Sequence, residues 1–295
     1  MATNKTNAAN VSQRPVHTLW GDAWFRLRKN KLAMAGGIFI ILLSLAAIFA
    51  PFITHYGFAQ QDLTAILQSP SAKHWLGTDG LGRDTFARLL YGARTSLAVG
   101  IFTQVIIVGI GLPIGAIAGY AGGSVDNILM RFVDVMYSFP SILLIILIKA
   151  ILGGGIYQLF FAIGLVSWVD IARLVRGQIM SIKSRDYVAA ARAMGGMGPY
   201  ITERHLLPNS LGPIIVTVTF SVPQAIFAEA ALSFMGIGVR PPTPSWGTMI
   251  NDGYAVIFSS WYQVLFPALA IALLMISFTF LGDGLRDALD PKMRH

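Results

Sequence analysis

The sequence predicts an all-α, polytopic membrane protein with six transmembrane helices. Three observations carry that prediction. Of the 295 residues, 55% are hydrophobic and only 12% charged. Six stretches, 32–54, 95–118, 132–149, 151–169, 211–228 and 262–282, are nearly free of charge, each close to the roughly 20 residues that cross a hydrocarbon core of about 30 Å. Basic residues gather in alternate gaps between them. Segments this long must close their backbone hydrogen bonds internally, so each reads as a helix.

From the amino terminus, residues 1–15 are polar and rich in Asn, Thr and Ala, the composition of a disordered tail. Within 17–31, Trp20, Trp24 and Leu27 fall on one helical face among Arg26, Arg28, Lys29 and Lys31, which predicts an amphipathic helix on the inner leaflet. About 30 residues precede the first apolar run, which argues against a signal peptide. The chain then divides into a cytoplasmic tail (1–31), a first transmembrane helix (32–55), an extracytoplasmic loop (56–93) and a five-helix core (94–282). That core includes a cytoplasmic segment, 176–209, and an outer loop, 233–261, and a cytoplasmic tail (283–295) closes the chain. Sixteen of the 22 Lys and Arg residues lie on the side that carries both termini, which places the termini in the cytoplasm. The net charge of +8 is then accounted for by loops facing anionic lipid rather than by nucleic acid. No cysteine is present, which excludes disulfide and thiolate chemistry.

The outer stretch "HWLGTDGLGRD" (74–84) is turn-rich. Its Asp79, Arg83 and Asp84 read as a charge-paired approach to the second span rather than a metal or acid–base site. Pro113, Pro140, Pro213, Pro223 and Pro267 sit in or beside apolar runs, with Gly109, Gly111 and Gly115 around the first, a pattern that permits kinks and close helix contacts. Thr217, Ser221 and Gln224 share a face of the fifth span, and Gln104 lies deep in the second. These four are candidates for lining a translocation path, with interhelical hydrogen bonding as the alternative. Asp170 and Glu229 lie near opposite ends of their spans, which lowers the cost of inserting an acid. In the tail, Asp283, Arg286, Asp287 and Asp290 recur at helical steps.

The long polar interruption 176–209 carries Arg176, Lys183, Arg185, Arg192 and Arg204. A short helix is expected from about Asp186 through "YVAAARAM", stopped by Gly195 and Gly196, then a second helix from near Pro199 that ends before Pro208. Two short helices with a glycine corner make a rigid knob; the alternative is a hairpin that only spaces two spans.

At these residues the sequence resembles the inner-membrane permease subunits of binding-protein-dependent ABC importers. Their coupling segment carries Glu-Ala-Ala, a Gly six residues after that Glu, and a later His followed by a Pro. Ala189, Ala190, Ala191, Gly195, His205 and Pro208 fall on that pattern, with Ala189 in place of the Glu. Further stretches, "WFRLRKNKLAMAG" (24–36), "HWLGTDGLGRD", "GARTSL" (92–97), "PPTPSWG" (241–247) and "GDGLRDALDP" (282–291), look like the second permease subunit of bacterial dipeptide and oligopeptide importers. The resemblance implies a type I ABC importer permease fold in the bacterial cytoplasmic (inner) membrane. It implies as partners a homologous second permease subunit, two ATPase subunits and an extracytoplasmic binding protein that delivers a peptide. ATP and Mg would be used by the ATPases, with no cofactor, metal or catalytic residue in this chain, which has no Gly-rich phosphate loop of its own.

Related importers move nickel chelates, glutathione, opines or oligosaccharides, and those cargoes are the nearest alternatives. His17, His55, His74, His205 and His295 form no cluster within a span, which disfavours nickel. A proton-coupled secondary transporter needs a membrane-embedded titratable pair or an internal repeat, and neither is evident. A membrane enzyme or a purely structural subunit is a third class; Ser167 has no His and acid constellation around it.

Overall fold

Helix lengths follow the apolar runs, but most helices extend beyond them. The structure, a computed structural model, describes residues 19–290, so the expected disordered tail and the last five residues lie outside it. Asn30 separates α1 (Leu19–Lys29) from α2 (Lys31–Ile48): its backbone is extended and its side chain accepts from the Ala33 amide at 3.1 Å. A single turn, α3 (Ala50–Ile53), leads into an irregular outer segment. Asp84 then caps α4 (Thr85–Ala121), accepting from the Ala87 amide at 2.7 Å. This cap starts the second span about ten residues ahead of the apolar run at 95.

The third expected span, 132–149, is not one helix. α5 (Gly123–Ser138) and α6 (Ser141–Leu152) meet at 91°. Pro140 has no N–H to donate and its ring pushes Phe139 into an extended conformation (φ −85°, ψ 138°), so the ladder stops and restarts. Next comes α7 (Ile156–Lys183), followed by α8 (Asp186–Ala193) and α9 (Gly198–Ile201). A π-helical turn, Thr202–Leu206, joins α9 to α10 (Leu207–Phe234). α11 (Trp246–Tyr254) and α12 (Tyr262–Leu289) complete the order. Among the described residues, five helices are long and apolar enough to cross a membrane, and up to six spans result when the bent α5–α6 pair is taken as one.

The core is α4 laid along α7. Gly111, Gly115 and Gly119 recur every four residues on α4, and a Cβ on each would approach the backbone oxygens of Trp168, Ala172 and Arg176 to 2.7, 2.4 and 2.8 Å. Only glycine lets the two backbones come this close, the small-residue seam of membrane helix pairs. Gly109 faces open space and takes no part. α10 crosses α4 at Gly100 against Ile226 and Val222.

α1 departs from the expected face. Ala23 and Leu27 are buried with Ala33, Ala288, Leu285 and Leu289, packing α1 on α12, and Arg26 reaches the Asp290 carbonyl at 3.5 Å. Trp24 points outward, with the Arg28 guanidinium 5.7 Å from its ring centre, so Leu27 and Trp24 do not share a surface. The Trp20 side chain lies outside the described residues. Ala23, unnoticed in the pattern, completes the inward stripe at four-residue spacing with Leu27.

Candidate functional site

The segment between α7 and α10 forms a knob held by apolar side chains. Val188, Ile201 and Leu206 are fully buried and cluster with Ile179 and Ile182 of α7 and Ile214 of α10. This inward stripe leaves Ala189, Ala190 and Ala193 exposed on α8, while Ala191 is buried. Of the Ala189–Ala191 run, two residues therefore face out and one anchors the helix.

α8 ends at Gly195, which takes φ +88°. The Gly195 amide donates to Arg192 O at 2.9 Å and the Gly196 amide to Ala191 O at 3.0 Å, the paired bonds of a Schellman stop. A Cβ at Gly195 would meet nothing within 4 Å, so the demand for glycine is conformational rather than steric. Beyond the corner, Met194 and Met197 are 83% and 78% exposed and Tyr200 is exposed as well. The outward side of the knob thus carries three alanines, two methionines and a tyrosine, with Arg192 exposed among them.

His205 is half-buried, its ring centre 6.4 Å from that of Tyr187 and 5.9 Å from that of Tyr200. The second short helix does not end before Pro208. The chain runs on from Gly198 to Phe234, with Pro208 exposed in the first turn of α10. The wide π turn explains this: the Leu207 amide already reaches back to Thr202 O, and Pro208, next in line, needs no amide of its own to begin the new helix.

A tether that sequence reasoning missed fixes the knob to α4. Lys183 donates to the Tyr120 carbonyl, its ammonium 5.2 Å from the Tyr120 ring centre; the Arg192 guanidinium is 5.9 Å from the same ring. Gly198 lies beneath that ring, where a Cβ would come to 2.8 Å. Tyr120 ends an apolar run with nothing local to mark it.

The candidate path residues separate. Thr217 and Ser221 donate to the carbonyls of Pro213 (3.0 Å) and Thr217 (2.9 Å) on their own helix, Gln224 is exposed, and Gln104 is buried, donating to Gly100 O at 3.1 Å.

At the N-terminal end of α4, Asp79 and Arg83 pair as expected and join Arg88 of α4 and Asp252 of α11, while Asp84, expected in the same group, caps α4 instead. Arg83 donates to Asp79 at 2.7 Å and to Asp252 at 3.2 Å; Arg88 also holds Asp79 and reaches Asp252 at 3.0 Å. Burial pushes the Asp79 carboxyl upward, but Arg88, the Arg83 and Leu81 amides and the Arg83 guanidinium outweigh it and hold its pKa below the ordinary 3.8. His74 pairs with Asp84 at 2.9 Å. Deeper in, Glu229 is completely buried, accepting from Ser96 at 3.0 Å and Ser233 at 2.6 Å. Nearby, the Lys149 ammonium donates to the carbonyls of Ile237 and Gly238. Hydroxyl donors, more than a terminal position, make that carboxylate tolerable.

Known proteins resemble this chain in sequence and fold. A family model described as "Binding-protein-dependent transport system inner membrane component" matches residues 111–295, and one described as "N-terminal TM domain of oligopeptide transport permease C" matches 18–70. The dipeptide transport system permease protein DppC of Bacillus subtilis (strain 168) is 46% identical over 98% of this chain and 91% of its own length. The oligopeptide transport system permease protein OppC of the same organism is 42% identical over 99% and 96%. The glutathione transport system permease protein GsiD of Escherichia coli O6:K15:H31 (strain 536 / UPEC) is 42% identical over 96% and 94%. Among solved structures, the inward-facing MetNI methionine ABC transporter superposes with a TM-score of 0.59 at 22% identity, over 70% of this chain and 97% of that one, a likeness of fold. The chain is a multi-pass membrane permease that belongs to the family of binding-protein-dependent transport system inner membrane components.

Proposed function

We propose that this chain is one of two permease subunits of an ATP-driven importer that carries di- or oligopeptides across the bacterial cytoplasmic membrane. It forms half of the path, both termini face the cytoplasm, and a homologous permease supplies the other half. An extracytoplasmic binding protein delivers the peptide, and two separate ATPase subunits bind ATP and Mg, leaving this chain without catalysis. The observation that carries the reading is near-full-length similarity to permeases named for dipeptide and oligopeptide transport.

The knob supports the coupling role. Ala189, Ala190 and Ala193 offer a small-residue surface to an ATPase groove, Gly195 sets the angle of the following helix, and Ala191 holds α8 to the body. His205, braced by two tyrosines, and Pro208 lie where that displacement would pass into α10. Gln224 is the path candidate with an outward side chain; Gln104, Thr217 and Ser221 would serve as packing polar groups unless the helices turn.

The deciding experiment is affinity isolation of the intact complex and its reconstitution in vesicles. ATP-dependent uptake of defined di-, tri- and longer peptides is expected. A complete complex that moves none of them rejects the proposal. Similarity to a glutathione permease supports a second reading, favoured if glutathione is taken up in preference to ordinary peptides.

A further inference from the structure

The inner half of the α5–α7 face carries charges where a lipid-facing helix pair would carry none. If the hydrocarbon core begins at Ile156, where α7 starts, then at about 1.5 Å per residue Asp170 lies about 21 Å and Arg173 about 26 Å along the helix, short of a core thickness of about 30 Å. Both side chains are exposed on the chain, as are Asp134 and Arg131 of α5.

Their pairing is incomplete. Arg173 donates to Asp134 at 2.7 Å and lies 4.3 Å from the Tyr137 ring centre. Arg176, one turn further in, closes on Asp126 with bonds of 2.5 and 2.6 Å. Asp170 and Arg131 have no hydrogen-bond or ion-pair partner among the described residues. The face thus offers an unpaired acid and an unpaired base beside an exposed ion pair. Ionised side chains at this depth belong against water or a charged partner, not against acyl chains. One free charge of each sign is the complement of a zwitterion.

We propose that this face lines a water-filled stretch of the path, and that Asp170 receives the ammonium group of a zwitterionic peptide as it passes. The assignment of the solute rests on the peptide-import reading above. The prediction of a wet surface does not.

The chain has no cysteine, so each single-cysteine variant carries one thiol in this subunit, and labelling is read on this subunit alone. In the reconstituted complex, Asp170→Cys and Arg131→Cys are expected to react with a charged, membrane-impermeant thiol reagent about tenfold or more faster than Leu42→Cys on the exposed apolar side of α2. Two positions guard against one variant failing to assemble. Reaction at both as slow as at Leu42→Cys overturns the water-filled face.

Uptake of a zwitterionic dipeptide tests the second part. Asp170→Asn is expected to lower it about tenfold with the complex assembled, and Asp170→Glu to restore most of it. Unchanged uptake with Asp170→Asn overturns the ammonium contact. If the wild-type complex carries no peptide, the import reading fails together with the ammonium contact, while the thiol reaction still decides whether the face is wet.

Discussion

The knob between α7 and α10 and the ionic lock at the start of α4 solve the same problem, fixing an irregular segment to a helical body, with opposite means. The knob turns Val188, Ile201 and Leu206 inward and leaves alanines, methionines and a tyrosine on its surface. The outer segment buries its charges, joining Asp79, Arg83 and Arg88 to each other and to α11 through Asp252. The apolar anchor leaves the exposed side of the knob uncommitted to contacts within the chain. The ionic lock spends its specific groups on the protein itself, which suits a rigid platform.

Substitutions at these two places should therefore fail differently. The largest expected effect is Gly195→Glu: insertion and assembly persist while ATP-driven peptide uptake falls about a hundredfold, because a non-glycine residue in the left-handed region costs about 1–2 kcal/mol and moves the corner. Normal uptake by an assembled mutant complex would erase the proposed distinction. Next is Arg88→Ala, expected to destabilise the protein by about 3–5 kcal/mol, since it leaves Asp79 buried with one cation fewer. Thermal unfolding of the detergent-solubilised protein measures it; a loss under about 1 kcal/mol would mean that the lock contributes no more than a surface ion pair.

A smaller effect is expected from Tyr120→Leu, which removes the ring facing Lys183 and Arg192, at about 0.5–1 kcal/mol for each cation. Limited proteolysis within 184–200 should accelerate while the outer segment keeps its resistance. The smallest effect is with pH. Because the folded-state pKa of Asp79 is depressed, its contribution to stability is fully present above about 3.8 and is lost only as pH falls through the lower folded value. Between pH 5 and 8 this group adds no slope, and melting curves across that range test it. A stability loss beginning at pH 6 would have to come from elsewhere in the lock.

Much of this could be read in advance because it is local. Apolar runs and alternating basic gaps announced the spans, Gly195 announced the corner, and Asp79 with Arg83 announced an ion pair four residues apart. Pro140 was visible, but a proline permits anything from a mild kink to the 91° bend observed, and neighbouring helices choose among them. Trp24 and Leu27 fall on one face by helical spacing, yet spacing says which residues share a face, not which face meets protein.

The sequence by itself determined the helical class, the placing of the five long apolar helices, and the position of the glycine corner, since each depends on hydrogen-bond closure or on φ within a few residues. Only the tertiary structure decided that Arg88 meets Asp252, that Tyr120 receives Lys183, and that Ser96 and Ser233 satisfy Glu229. Apart from Ser233 and Glu229, one helical turn apart, these partners are separated by scores of residues. They meet because the seam of Gly111, Gly115 and Gly119 draws α4 against α7 and because α10 and α11 pack on the same helix. Such pairings depend on how helices cross, and no local pattern along the chain carries that information.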